Sequence, residues 1–368
     1  MLKVKRFRLL PLSPIHIGGR FQALYPFEYV VSDGRFIVVR ETKLGEFLQR
    51  RGLLMDFLRR FEQAGFSLTE YLREKGLLSS SLLDELSLYS CRLSCRPPEG
   101  KQVRPFTRDA FQRPYIPGSA LKGAMRTALW YDAMTRNRDL LGKVRSALED
   151  KKIREKAKTK DDELDKDIFE GYRLRDKSRS PHTDLLRVIK VSDSQPWEKD
   201  SLFLGEEETL AGGKPRPDIS TFLEFVKEAM ETEFQITFDE ELFARFQEAG
   251  NLLFNGFDDF LSKVDSFYRK VAEEERKEGE EKAKGFYDWL LDKTKGKGTL
   301  LRIGWGGGLP SLTIWLALPN DLKAMVRTSF FSRSHREKFP LTRRFLKRKE
   351  GEKDNYTPFG WVLIREVR

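Results

Sequence analysis

Short β-rich stretches are spread along the whole chain, and the helical blocks between them follow no regular βα rhythm. VKRFRLLPLSPIHIGG opens the sequence, and FEYVVSDGRFIVVR follows with Asp33-Gly34 set between two β-rich runs, a hairpin signal. From Lys43 to about Leu88 the spacing turns helical, as in LGEFLQRRGLLMDFLRRFEQAG. After the loop CRPPEGKQVRPF comes PYIPGSALKGAMRTALW, and residues 143–180 carry dense mixed charge that reads as a solvated helix or a mobile segment. DLLRVIKVSDS, Asp184 to Ser194, returns to strand, and in ETEFQITFDE the residues Phe234, Ile236 and Phe238 alternate as in a half-buried strand. Residues 240–292 read as helices, with EEERKEGEEKAKG expected on the surface. LLRIGWGGGLPSLTIWLAL then gives a strand, a glycine loop and a second apolar stretch. The basic tail ends FPLTRR…TPFGWVLIREV, a strand pair around a charged loop. Strands and helices mixed in this way predict an α+β fold rather than a doubly wound one. GGKPRPD, Gly212 to Asp218, reads as a boundary between two halves.

Charge narrows the partners. Among 368 residues, 68 Lys and Arg face 57 Asp and Glu, a formal net charge of +11. That excess favours a polyanion, either nucleic acid or an anionic membrane surface. No apolar run approaches the roughly 18 residues that span a bilayer. The start, MLKVKRFRLLPLSPIHIGG, lacks a signal-like apolar block with a cleavage site. Nucleic acid is therefore the favoured partner class, with no membrane. The two cysteines, Cys91 and Cys95, suit a reducing cytoplasm and not a disulfide framework. With His16, His182 and His335 scattered, no metal site and no cofactor are expected.

In IPGSALKGAMRTAL, Pro117 and Gly118 break an extended run and Ser119 is placed to cap a helix. Leu121, Met125 and Ala128 recur at helical spacing toward a core, while Ser119, Lys122, Gly123 and Arg126 share another face. A hydroxyl and two cations behind a helix start suit a phosphate; the alternative is a capped amphipathic helix whose charges face water. Gly123 costs the helix about 1 kcal/mol relative to Ala, which fits a close backbone approach. IHIGGR and RIGWGGG are two further glycine stretches, and outward N–H groups in such loops can cradle phosphates. IPGSALKGAM lacks the order of a Walker A loop, and GWGGGL lacks the G-x-G-x-x-G spacing.

Together these stretches resemble the RAMP superfamily, the ferredoxin-like RNA-binding subunits of CRISPR effector complexes. LSPIHIGG resembles the family's opening strand and loop, YIPGSALKGAMRTAL its central motif, RVIKVSDS the strand closing the first domain, and LRIGWGGG its late glycine loop. LTRR, Leu341 to Arg344, followed by PFGWV, Pro358 to Val362, narrows the likeness to the subunits of type III-A (Csm) complexes that cap the backbone at the crRNA 3′ end.

The resemblance implies two ferredoxin-like domains. One covers residues 1–200, with helical insertions at about 43–100 and 131–183; the other covers 215–368, with an insertion at about 240–292. It implies RNA contacts at His16, Gly18, Gly19 and Arg20, at Ser119, Lys122, Gly123 and Arg126, and at Gly304, Trp305, Gly306, Gly307 and Gly308. Arg343 and Arg344 bind phosphate or a neighbouring subunit; sequence does not choose between these. Trp305 either stacks on a base or packs beneath its loop. His16 is a general base, a structural histidine or an RNA contact, and Asp33 is a turn residue before it is a catalytic one. The expected function is a non-catalytic, cytoplasmic crRNA-binding subunit. Its partners are crRNA, target RNA, the backbone RAMP subunit and the small subunit. It is expected to be monomeric when isolated and present as a single copy in the complex. The alternative is a RAMP endoribonuclease that processes precursor crRNA.

Overall fold

The computed structural model describes residues 1–18, 23–63, 65–98, 100–172, 180–216, 220–248, 250, 252–331, 339–340, 342–350 and 353–367, with backbone alone at 349–350 and 353–354. The chain begins with β1 (Leu2–Pro11) and the hairpin β2 (Tyr29–Ser32) and β3 (Arg35–Val39). Asp33 and Gly34 turn that hairpin at φ 50° and 70°, the double left-handed geometry that Asp-Gly favours. Four short helices follow, α1 (Glu41–Arg50), α2 (Leu54–Phe61), α3 (Leu68–Glu74) and α4 (Ser80–Leu86). After β4 (Ser87–Leu93) and β5 (Val103–Arg104) come the helices α5 (Gly118–Arg136), α6 (Arg138–Glu149) and α7 (Ile153–Phe169). The strands β6 (Ile189–Val191), β7 (Leu202–Ala211), β8 (Lys214–Pro215), β9 (Thr221–Val226) and β10 (Thr232–Asp239) lead into α8 (Glu240–Glu248), α9 (Phe257–Glu278) and α10 (Lys284–Thr294). The end carries β11 (Thr299–Arg302), α11 (Gly308–Leu312), α12 (Asn320–Phe330), β12 (Thr342–Glu350), β13 (Lys353–Pro358) and β14 (Trp361–Glu366).

The strands form two sheets, one of five strands in the order β11-β14-β1-β10-β6 and one of nine built on β13-β12-β7-β4-β3-β2. In the second, β9 and the short β8 also pair with β7, and β5 pairs with β9. The first sheet is antiparallel throughout, with Phe7 opposite Phe234 and Lys5 opposite Ile236. Strand periodicity turns Phe7 and Leu9 inward with Phe234, Ile236 and Phe238, where α5, α8 and α9 cover them. The β2–β3 hairpin feeds two cores at once. Val31, Phe36 and Val38 face the main core, whereas Val30, Ile37 and Val39 face Leu44, Leu48, Tyr71 and Leu72 of the first helical block. The result is an α+β fold.

Two sequence expectations change. GGKPRPD opens a turn within a sheet: Gly212 and Gly213 take φ 59° and 78° between β7 and β8, which pair with each other. Both sheets also take strands from either side of that turn, so the architecture is not two consecutive halves divided near 200–215. The run EEERKEGEEKAKG is not wholly on the surface, because Glu275 and Ala283 are buried.

Candidate RNA-binding interface

Loops from three parts of the chain meet where the two sheets adjoin. Ile15 exchanges backbone hydrogen bonds with Val226 of β9 (3.2 and 3.0 Å), Trp305 N–H donates to His16 O (2.8 Å), and Ile303 N–H donates to Gly360 O (2.8 Å). Gly360 N–H in turn reaches Pro14 O at 2.9 Å. Glycine is required at these contacts. Gly304, at φ 74°, would place a Cβ 2.2 Å from His16 O, and Gly306, at φ 81°, would place one 2.4 Å from Phe359 Cδ2. These glycines of the late loop therefore serve inward packing, where phosphate cradling was expected. A Cβ on Gly307 would meet Ser311 Oγ at 2.7 Å, and Gly308 takes φ 67° at the start of α11. Gly18 is confined from below by His16 Nε2, 2.7 Å from where its Cβ would lie. Gly19 and Arg20 lie outside the described residues.

His16 is 1% exposed, so its expected RNA contact is corrected to a structural role. Its Nδ1–H donates to Glu224 O at 2.8 Å, which assigns the proton to Nδ1 in the neutral ring. Edges and faces of Phe106, Phe225 and Trp305 surround it. Burial lowers its pKa to about 4, against the help of the Glu224 carbonyl, and the charge of Arg104 lowers it further. Beneath it, the carboxylate of Glu224 is fully buried and accepts from Phe106 N–H (2.8 Å) and Arg108 (3.1 Å).

Trp305 is half-buried and packs on Phe203, Leu223, Phe225, Leu346 and Phe359. Two guanidinium groups lie over its ring, Arg104 at 5.0 Å and Arg344 at 4.9 Å from the centroid. The indole thus packs within the loop junction while keeping part of its surface exposed. Arg344 is tied to Glu207 at 2.8 Å, and Thr209 Oγ1 donates to the same carboxylate at 2.8 Å. Burial raises the Glu207 pKa despite Arg344. Arg343 turns away and pairs with buried Glu275 at 2.7 Å.

The α5 motif lies elsewhere and is bound inward. Pro117, not Ser119, is the N-cap, and Gly118 N–H donates to Asp193 Oδ1 at 2.7 Å, so a carboxylate of the chain already meets this helix start. Lys122 Nζ donates to Leu186 O and Ile189 O, both at 2.8 Å. Arg126 pairs with Asp165 and Asp184 and lies 3.8 Å over the ring of Phe169. The shared cationic face expected of Lys122 and Arg126 is thus spent on internal partners. Ser119 and Gly123 remain exposed, and a Cβ at Gly123 would meet open space.

Sequence reasoning passed over Arg104, Arg108, Glu207 and Glu224. For both glutamates a signal was present: a carboxylate inside the apolar runs TFLEFV and LFLGEEETLA marks a buried, paired charge. Among the described residues no group of three or more His, Cys, Asp or Glu is placed to hold a metal, and no helix is long and apolar enough to cross a membrane.

The RAMP superfamily profile matches residues 8–311. A CRISPR system Cms protein Csm5 from Streptococcus thermophilus is 25% identical over 283 residues, 72% of this chain and 69% of that protein. A chain of a cryo-EM structure of a Csm–crRNA–target RNA ternary complex of a type III-A CRISPR-Cas system superposes with TM-score 0.76 at 25% identity, covering 99% of this chain and 100% of that one. The crystal structure of T. onnurineus Csm5 shares the fold, with TM-score 0.67 at 23% identity over 97% of this chain and 99% of that one. A profile match over most of the length, on a fold shared end to end with these structures, establishes that the chain belongs to the RAMP superfamily.

Proposed function

We propose that the chain is a crRNA-binding structural subunit of a type III-A effector complex, set at the crRNA 3′ end. The carrying observation is the superposition on a chain of the Csm–crRNA–target RNA complex, which covers 99% of this chain and 100% of that one. Its partners are then crRNA, target RNA and the other subunits of that complex, with the net charge of +11 suited to the polyanions. RNA is held through backbone and shape, as a subunit serving guides of any sequence requires. Ser119 and Gly123 are accessible for such contact, whereas Lys122 and Arg126 would first have to leave their internal partners. Catalysis has no support at His16, which is enclosed and held neutral, or at Asp33, which turns a hairpin. The subunit is a scaffold. Mass measurement of the assembled complex tests the placement: one copy per crRNA is expected, with heterogeneous crRNA 3′ ends when the chain is omitted. Two or more copies per crRNA would rule out a terminal position.

A further inference from the structure

Most cations around the loop junction and on α5 are committed inside the chain. Lys122 and Arg302 each donate to two backbone carbonyls, Arg126 holds two aspartates, and Arg343 and Arg344 hold buried glutamates. Arg104 differs. It is half-buried, no carboxylate among the described residues pairs with it, and its guanidinium lies 5.0 Å over Trp305. Its backbone is fixed by the pairing of β5 with β9, where Arg104 stands opposite Leu223. Arg344, over the same ring, has its charge balanced by Glu207. The uncompensated positive charge at the indole therefore belongs to Arg104.

We infer that Arg104, braced on Trp305, is a phosphate-binding cation of this interface and takes an RNA backbone phosphate regardless of base sequence. The inference rests on the crRNA-binding reading above. A planar guanidinium is weakly hydrated and offers paired donors that match phosphate oxygens. The ring beneath restricts the side chain before the ligand arrives, so less freedom is lost on binding. Trp305 then acts on RNA through the arginine and not as a bare stacking surface.

The full chain, titrated with two fluorescein-labelled single-stranded RNAs of unrelated sequence over a range of salt, tests this. Arg104→Ala is expected to weaken both RNAs on the order of 10-fold and to make the slope of log K against log salt shallower by about 0.7, one phosphate contact on a single strand. Arg104→Lys should restore the slope and only part of the affinity, while Lys122→Met should leave the slope unchanged. Should alanine at 104 impair folding, Arg104→Gln repeats the measurement with a planar head and no charge. A neutral variant at 104 that keeps the parent's affinity and slope overturns the inference and leaves the crRNA-binding reading standing. A parent chain that binds neither RNA overturns the reading itself, and the inference with it.

Discussion

Glu224 shows how much one side chain settles at the junction. Its carboxylate fixes Phe106 and Arg108, and its carbonyl fixes the His16 ring, so three segments distant in sequence share one anchor. Arg108, in turn, lies 3.6 Å over the ring of Tyr89. The enclosed histidine carries a pH consequence. Its pKa falls from 6.5 in the open chain to about 4 in the fold, so the unfolded chain takes up the proton first. The stability contributed by the neutral ring is complete above about pH 6.5 and is lost as pH falls toward 4. At about 1.4 kcal/mol per pH unit, the loss approaches about 3 kcal/mol. Urea unfolding of the parent and of His16→Gln, at pH 7 and pH 4.5, separates this from other titrations: the variant should lose about 2–3 kcal/mol less. Equal losses in both proteins would remove His16 from the balance.

Helix α5 is held by its polar side as firmly as by its apolar one. Leu121, Met125, Ala128 and Leu129 are wholly buried, while Lys122 reaches the turn before β6 and Arg126 binds α7 through Asp165. Asp165 also accepts Trp130 Nε1–H at 2.7 Å. Arg126→Met should therefore leave Asp165 and Asp184 short of a partner and cost about 2 kcal/mol, read as a lower thermal midpoint. An unchanged midpoint would mean that solvent screens these half-exposed carboxylates. The helix itself was legible in the sequence, because Leu121, Met125 and Ala128 recur at helical spacing. Its polar attachments were not, since Asp165 and Asp184 lie 39 and 58 residues further on. The Asp33-Gly34 hairpin and the alternating Phe234, Ile236 and Phe238 were legible for the same local reason. The glycines of the late loop announced close approach but not its partner: Gly304 and Gly306 face His16 and Phe359, from opposite ends of the chain.

Across the molecule, both sheets are woven from early and late strands. β1 pairs with β10 and β14, and β12 pairs with β7, which in turn pairs with β4. This is what a division by composition could not find, because strand order is a long-range property. Fragments ending at residue 213 and beginning at 214 are predicted not to fold separately and to recover native-like circular dichroism only when mixed. A cooperative unfolding transition in either fragment alone would show that the sheets hold together without exchange. The charged helices α6 and α7 lie on this woven body with α12 beside them, and Arg145 of α6 pairs with Asp321 of α12. Stacking of a further copy on this face would require these exposed charges to lose their water. The segment 268–284 contributes less to such a barrier, since Val271, Ala272 and Glu275 face inward.

The position of β1 also bears on the order of events at the ribosome. β1 occupies the middle of its sheet, and one of its two neighbours, β14, is made far later in the chain. At about 5–20 residues per second, this leaves an amphipathic strand without that neighbour for on the order of tens of seconds. The open strand, with Phe7 and Leu9 on one side, would suit capture by a chaperone during this interval. Completion of the first sheet thus waits for β14, and with it the junction in which Gly360 meets Pro14.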